Sequence, residues 1–182
     1  MPNTYLTRSE GAGNRKTFTL SAWCKRSSTG SSNTIYSNGT NGDNYFFIDF
    51  ANTNKFQCLD IGSGSYQIRM ETNRLIRDCN GFYHIVIAVD TTQSTASNRV
   101  KMYINGVQET SFSTATYPSQ NYDTNLNNSN TANIGRYVIE SSRYFDGAMS
   151  YVAFVDGQQL TPSTFGETDA TTGEWKIKTS PS

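Results

Sequence analysis

Apolar and polar residues alternate along much of this chain with the two-residue period of a pleated strand. Residues 17–24 read Thr-Phe-Thr-Leu-Ser-Ala-Trp-Cys, which places Phe18, Leu20, Ala22 and Cys24 on one face. Residues 44–50 are aromatic and β-rich. Residues 55–61 follow after the turn-like Ala51, Asn52, Thr53 and Asn54, and residues 66–70 follow the turn signal of residues 62–65. Residues 82–89 are apolar nearly throughout, the pattern of a strand covered on both faces. Residues 100–104 alternate again and end at Asn105-Gly106, a strong hairpin signal, with Val107 starting the return strand. Two more strands are predicted over 131–137 and 148–155, the second followed by the turn-forming pair Asp156-Gly157, and a last one over 174–178. One short helical turn is predicted near Thr161–Phe165, with the Thr161 hydroxyl as cap and Pro162 at the first helical position. Two stretches read as long loops, 27–33 and 113–130, and no tandem repeat is present.

Composition sharpens this into an all-β reading. Thr, Ser, Asn and Gly supply 76 of 182 residues, whereas Leu and Glu occur six times each and Ala ten times. Helices draw on those scarce residues, and sheets draw on the Thr, Tyr, Phe, Val and Ile that are plentiful here. Aromatics at 13% with zero formal net charge are enough for a packed core rather than a disordered chain. Eight or more short strands with Gly and Asn turns predict a sandwich or barrel.

Charge and cysteine content exclude several functions. No run approaches the roughly 20 apolar residues of a membrane-spanning helix, so membrane insertion is not expected. Zero net charge argues against a nucleic-acid surface, and the basic group Arg15, Lys16, Lys25 and Arg26 reads as solvated strand ends. The first residues lack the apolar stretch of a secretory signal, as expected of a protein used without export or of one whose leader has been removed. The sequons at Asn38 and Asn127 carry no meaning without export. Three cysteines (Cys24, Cys58 and Cys79, the last two placed near strand ends) make no even framework: free thiols are expected, with one disulfide plus a leftover thiol as the alternative. A single His and no Cys-x-x-Cys argue against zinc.

The order of motifs resembles the laminin-G-like domains. The resemblance is carried by residues 18–23, 81–90 and 101–107, then Asn133-Ile-Gly-Arg136, Phe145-Asp-Gly147 with Val152, and the turn after Leu160; it covers about 17–165. It implies a concanavalin-like jelly roll of two antiparallel sheets packed face to face. A single domain over 1–182 is expected, with 1–16 and 166–182 as terminal extensions packing on it or on neighbours. Residues 5–8, 12–17, 154–157, 165–169 and 173–176 resemble laminin-G-like proteins of marine bacteriophages, where the module occurs in virion fibres and capsid decorations. That resemblance implies a non-enzymatic virion protein, made in the host cytoplasm, binding other virion proteins or its own copies as a homo-oligomer. The alternative is a carbohydrate-binding module that recognises host surface glycans. Free thiols agree with assembly in a reducing cytosol.

Candidate chemistry is sparse. Glucanases of this fold carry Glu-x-Asp-x-x-Glu on one strand; here Glu167 and Asp169 match, but position 172 is Thr and Glu174 is out of phase. A catalytic triad would need His84, the only His, which reads instead as a hydrogen-bonded structural residue in mid-strand. No phosphate-binding glycine motif follows a strand. The resemblance implies a calcium position at the sandwich rim, which Asp43 matches, with Asn128 and Asn130 as further oxygen donors. One carboxylate with amides makes a weak calcium site, and no cofactor is required. The loop bearing Tyr117, Tyr122, Asp123 and Asn125 has chemistry suited to a glycan or a protein partner, and equally to a structural role.

Overall fold

The computed structural model describes residues 4–9, 11–140 and 143–179. Its strands there are β1 (Leu6–Ser9), β2 (Thr17–Arg26), β3 (Asn33–Asn41), β4 (Asn44–Phe50), β5 (Lys55–Gly62), β6 (Ser65–Leu75), β7 (Tyr83–Asp90), β8 (Val100–Ile104), β9 (Val107–Gln108), β10 (Phe112–Thr116), β11 (Thr131–Ile134), β12 (Gly147–Asp156), β13 (Gly166–Thr168) and β14 (Trp175–Ile177). A one-turn helix α1 (Ala96–Arg99) precedes β8, and a 3-10 turn spans Pro162–Thr164. A seven-stranded sheet runs β1-β11-β3-β4-β5-β6-β10, a five-stranded sheet runs β12-β2-β7-β8-β9, and β13 and β14 form a separate hairpin. Every strand pairing is antiparallel.

Alternation decides which side chains meet between the sheets. Phe18, Leu20, Ala22 and Cys24 of β2 join Ile85, Ile87 and Val89 of β7, and opposite them lie Phe46, Ile48 and Phe50 of β4 with Phe56 and Cys58 of β5. Each large apolar side chain sealed there stabilises the fold by roughly 1.5–3 kcal/mol relative to exposure. The alternate residues of β7 face outward yet stay dry. Val86 and Ala88 lie with Tyr103 against Val155 of β12 and under Leu160 and Phe165, so the segment after β12 caps the outer face of the five-stranded sheet. The nearly continuous apolar run of β7 has this cause.

Several local expectations are corrected. Strand β3 lies in a stretch with only two apolar residues, Ile35 and Tyr36, which are adjacent. A bulge between Thr34 and Tyr36 adds one residue against β4, and both side chains reach the core. The long loop from 113 holds an edge strand, β10, and Asn33 begins β3 rather than ending a loop. The Thr161 hydroxyl makes no capping bond and shares a hydrogen bond with Ser163 Oγ instead. Arg26 is not a solvated strand end: it is 1% exposed, donates to the Ile76 carbonyl and Asn54 Oδ1, and lies 4.7 Å over the Phe50 ring. Cys58 sits in mid-strand in the core, and all three cysteines are free thiols. Both sequon asparagines, Asn38 and Asn127, are buried.

Candidate functional site

The loop singled out for its tyrosines and asparagines is organised around an acid of β5. Asp60 follows Phe56 and Cys58 in the alternation of β5, so it points inward and is fully buried. Asn125 donates to it twice, from its backbone N–H at 2.8 Å and from Nδ2 at 2.6 Å, and the Tyr122 hydroxyl donates at 3.2 Å. Burial pushes the Asp60 carboxyl up to about 6, with the Asn125 and Tyr122 bonds pulling the other way. Tyr117 is half-buried against the core. Asp123 alone of the four is exposed, 3.8 Å from Lys16 Nζ, and its carbonyl accepts from Arg15. The polar groups of this loop therefore clasp it to the sheet, and the Tyr122 hydroxyl occupies the space a side chain at Gly62 would need. The Phe56–Cys58–Asp60 phase was the available signal: an acid on a core face needs donors nearby.

The proposed calcium ligands sit at one rim. Asp43 is exposed in the β3–β4 turn, where its N–H donates to Asn41 Oδ1 at 3.0 Å. Asn128 forms an isolated bridge with Ala12, and Asn130 precedes β11. Among the described residues no hydrogen bond joins these three, and no group of three His, Cys, Asp or Glu side chains could hold a metal ion. The donor set remains one carboxylate with amides.

His84 is held as a structural residue. Trp175 Nε1 donates to its Nδ1 at 2.9 Å, and the indole can only donate, so the imidazole proton sits on Nε2 and is given to Ser21 Oγ at 2.9 Å. Trp23 stacks on the ring at 4.6 Å. Among the described residues no carboxylate touches Nδ1, and Ser21 is fully buried, so this pair lacks both the orienting acid and the exposure of a nucleophile there. Glu167 and Asp169 both pair with Lys176 across the β13–β14 hairpin.

The outer face of the seven-stranded sheet carries the more open chemistry. The register places Thr34, Asp49, Gln57, Glu71 and Thr114 in one row, and Ser37, Phe47, Leu59, Arg69 and Thr116 in the next. Half of this face is roofed by the segment after β11. Tyr137 meets Phe47 edge-on at 5.1 Å and Tyr45 at 5.7 Å, and Leu59 and Ile61 complete the cluster. Arg143 lies over the Tyr137 ring at 4.8 Å and pairs with Glu140. The other half is open. Tyr66 is 49% exposed, with the Arg69 guanidinium 4.8 Å over its ring. Arg69 also stands 3.9 Å from Glu71, whose other oxygen accepts from Lys55 at 2.9 Å. Burial opposes ionisation of Glu71, but the bond to Lys55, with Ser113 and Arg69, holds its pKa below the ordinary value.

Polar atoms on this face are left without partners. Arg69 Nε, Thr34 Oγ1 and both oxygens of Asp49 are buried without a hydrogen bond of good geometry. Burial pushes the Asp49 carboxyl up to about 7, offset in part by the Gln57 amide and the Arg143 charge. The sequence signal for this face was the alternation of β6, where Arg69 and Glu71 interleave with Ile68, Met70 and Thr72.

Comparisons with known proteins bear on this geometry. The chain matches, over residues 3–164, the family described as the concanavalin A-like lectin/glucanases superfamily. It belongs to that superfamily. Among solved structures it is similar to domain 4 of an extracellular GH43 arabinanase from Geobacillus stearothermophilus, solved with arabinotriose, at 20% identity and TM-score 0.57. That match covers 84% of this chain and 65% of the other, so the chain spans just under two thirds of that relative. It is similar to the CBM40 module of a Ruminococcus gnavus sialidase, solved with α2,3-sialyllactose, at 13% identity and TM-score 0.54, covering 86% and 90%. It is also similar to domains LG4-5 of the mouse laminin α1 chain, at 12% identity and TM-score 0.57, covering 82% and 38%. Comparison with curated protein sequences finds no match. These likenesses confirm the jelly-roll fold.

Proposed function

We propose that this chain is a carbohydrate-binding module that takes an oligosaccharide on the open half of the outer face of the seven-stranded sheet. The observation that carries the reading is the exposed Tyr66 ring with the Arg69 guanidinium over it, on the open half of a sheet face whose other half is closed by packing. A pyranose ring presents C–H groups to an aromatic face and hydroxyls at its edge, which the guanidinium and Glu71 can meet. Two similar modules were solved with bound sugars, which supports the choice of ligand class. The arrangement favours binding over hydrolysis. The two carboxylates of the polar row, Asp49 and Glu71, stand two strands apart, but Asp49 is sealed from solvent and Glu71 is neutralised by Lys55. The setting is a separate part of the proposal. The terminal motifs resemble phage surface proteins, and a copy on a virion would offer this face to host glycans.

The test is a glycan array with the purified chain, followed by titration of the strongest hits against Tyr66→Ala and Arg69→Ala. Each substitution is expected to weaken binding about tenfold, the value of roughly 1.4 kcal/mol, with thermal stability unchanged. Binding that survives both substitutions, or an array without a hit, overturns the assignment.

A further inference from the structure

The sandwich does not close along one side. Strand β1 is the free edge of the seven-stranded sheet and β12 the free edge of the five-stranded one. Between them lies a cavity of about 440 Å³ whose lining includes residues of both strands. Leu20, Tyr36 and Ala132, all buried, form its inner wall, and Ile134, Val152 and Phe154 are only partly covered. A bulge in β12 borders the opening, where Ser150 pairs with Trp23 but the next pair is Ala153 with Ser21. Tyr151 takes a left-handed backbone (φ 47°), and Val152 is left out of the ladder.

The mouth carries a cation. Leu6 and Arg8 alternate on one face of β1 opposite Ile134 and Ala132, so Arg8 shares the face that lines the cavity. Among the described residues Arg8 has no carboxylate within ion-pair distance. An apolar volume in the size range of ligand sites, with a positive charge at its rim that no described carboxylate pairs, is complementary to a molecule with one apolar chain and one negative head.

We infer that the cleft between β1 and β12 binds a monomeric single-chain amphiphile with an anionic head, such as a medium-chain carboxylate. The chain fills the space between Leu20, Ile134, Val152 and Phe154, and the head pairs with Arg8. This site is independent of the sugar-binding face, which lies on the outside of the sheet.

Calorimetric titration with octanoate, decanoate and decyltrimethylammonium, each below its micellar concentration, tests it. Decanoate is expected to bind at one site, about fifteenfold more tightly than octanoate, because each of its two extra buried methylenes strengthens binding about fourfold. The cationic analogue is expected to bind at least tenfold more weakly. Arg8→Gln should abolish that head-group preference. Leu6→Trp, at a position 66% exposed and so tolerant of change, should block decanoate without lowering thermal stability. Absence of saturable decanoate binding, equal affinity for both head groups, or binding only to anionic phospholipid vesicles overturns the inference. In the second outcome Arg8 serves only as an inward-facing charge that protects a sheet edge from pairing.

Discussion

His84 makes the fold sensitive to acid in a calculable way. Its neutral form is specified by Trp175, which donates to Nδ1, while Nε2 donates to Ser21. A second proton on Nδ1 would set two N–H groups against each other. Burial alone lowers the His84 pKa from 6.5 to about 4, with no charged group acting on it. The unfolded chain therefore binds more protons than the folded one between pH 4 and 6.5. Stability from this residue is intact above about pH 6.5 and is lost as pH falls through that window. A group with these two pKa values costs about 2 kcal/mol at pH 5 and about 3 kcal/mol at pH 4. Asp49 and Asp60 have raised values and act in the opposite direction, so the wild-type profile alone would mix the contributions. The comparison that isolates His84 is with His84→Gln, which keeps a donor for Ser21 but does not titrate. Urea unfolding followed by circular dichroism, at constant ionic strength from pH 7.5 to 4, gives both curves. The variant is expected to be about 1 kcal/mol less stable at pH 7.5, from the lost Trp175 bond, and to overtake the wild type near pH 6. A stability difference that stays constant with pH, or a His84 pKa above 6 by NMR titration, would refute the reasoning.

Two further outcomes follow from the buried acids. Asp49→Asn removes a carboxyl that prefers to stay protonated to about pH 7, so the variant should match the wild type near pH 3 and gain on it as pH rises, by up to about 4 kcal/mol at pH 8, in urea unfolding. Tyr122→Phe should cost about 1 kcal/mol, raise the Asp60 pKa further, and speed amide exchange in the loop that Asp60 holds; an unchanged Asp60 titration by carboxyl NMR would rule out the clasp.

Two strands coincide with their sequence expectations. Residues 44–50 form β4, as their aromatic, β-rich composition predicts, and residues 100–104 form β8, where alternation runs up to the Asn105-Gly106 turn. Strand β3 was illegible because its bulge turns two adjacent apolar residues inward, a pattern that matches neither period. Strand β10 was hidden at a polar edge, where no buried face imposes alternation. Residues of the candidate sites divide along the same line. Tyr122 and Asn125 were noticed as polar groups in a long loop, but their partner Asp60 lies about 60 residues away, and composition cannot reveal which way an amide points. Tyr66 and Arg69 were passed over because a polar strand face reads as ordinary solvent contact until the neighbouring half is seen to be roofed. The resemblance to laminin-G-like domains supplied the layer arrangement, which spacing alone left open between sandwich and barrel.

The two tryptophans of the chain lie on either side of one imidazole, Trp23 at 4.6 Å and Trp175 at 5.9 Å. Both indoles therefore report from a single patch, the outer face of the five-stranded sheet under the C-terminal hairpin. Intrinsic emission is in effect a one-site optical probe of hairpin docking, quenched or shifted when that contact opens. Sugar bound near Tyr66, on the opposite layer, would leave it silent. A fluorescence melt that precedes the circular dichroism melt would then mark undocking of the hairpin as a separate step, and not a departure from cooperative unfolding of the sandwich itself.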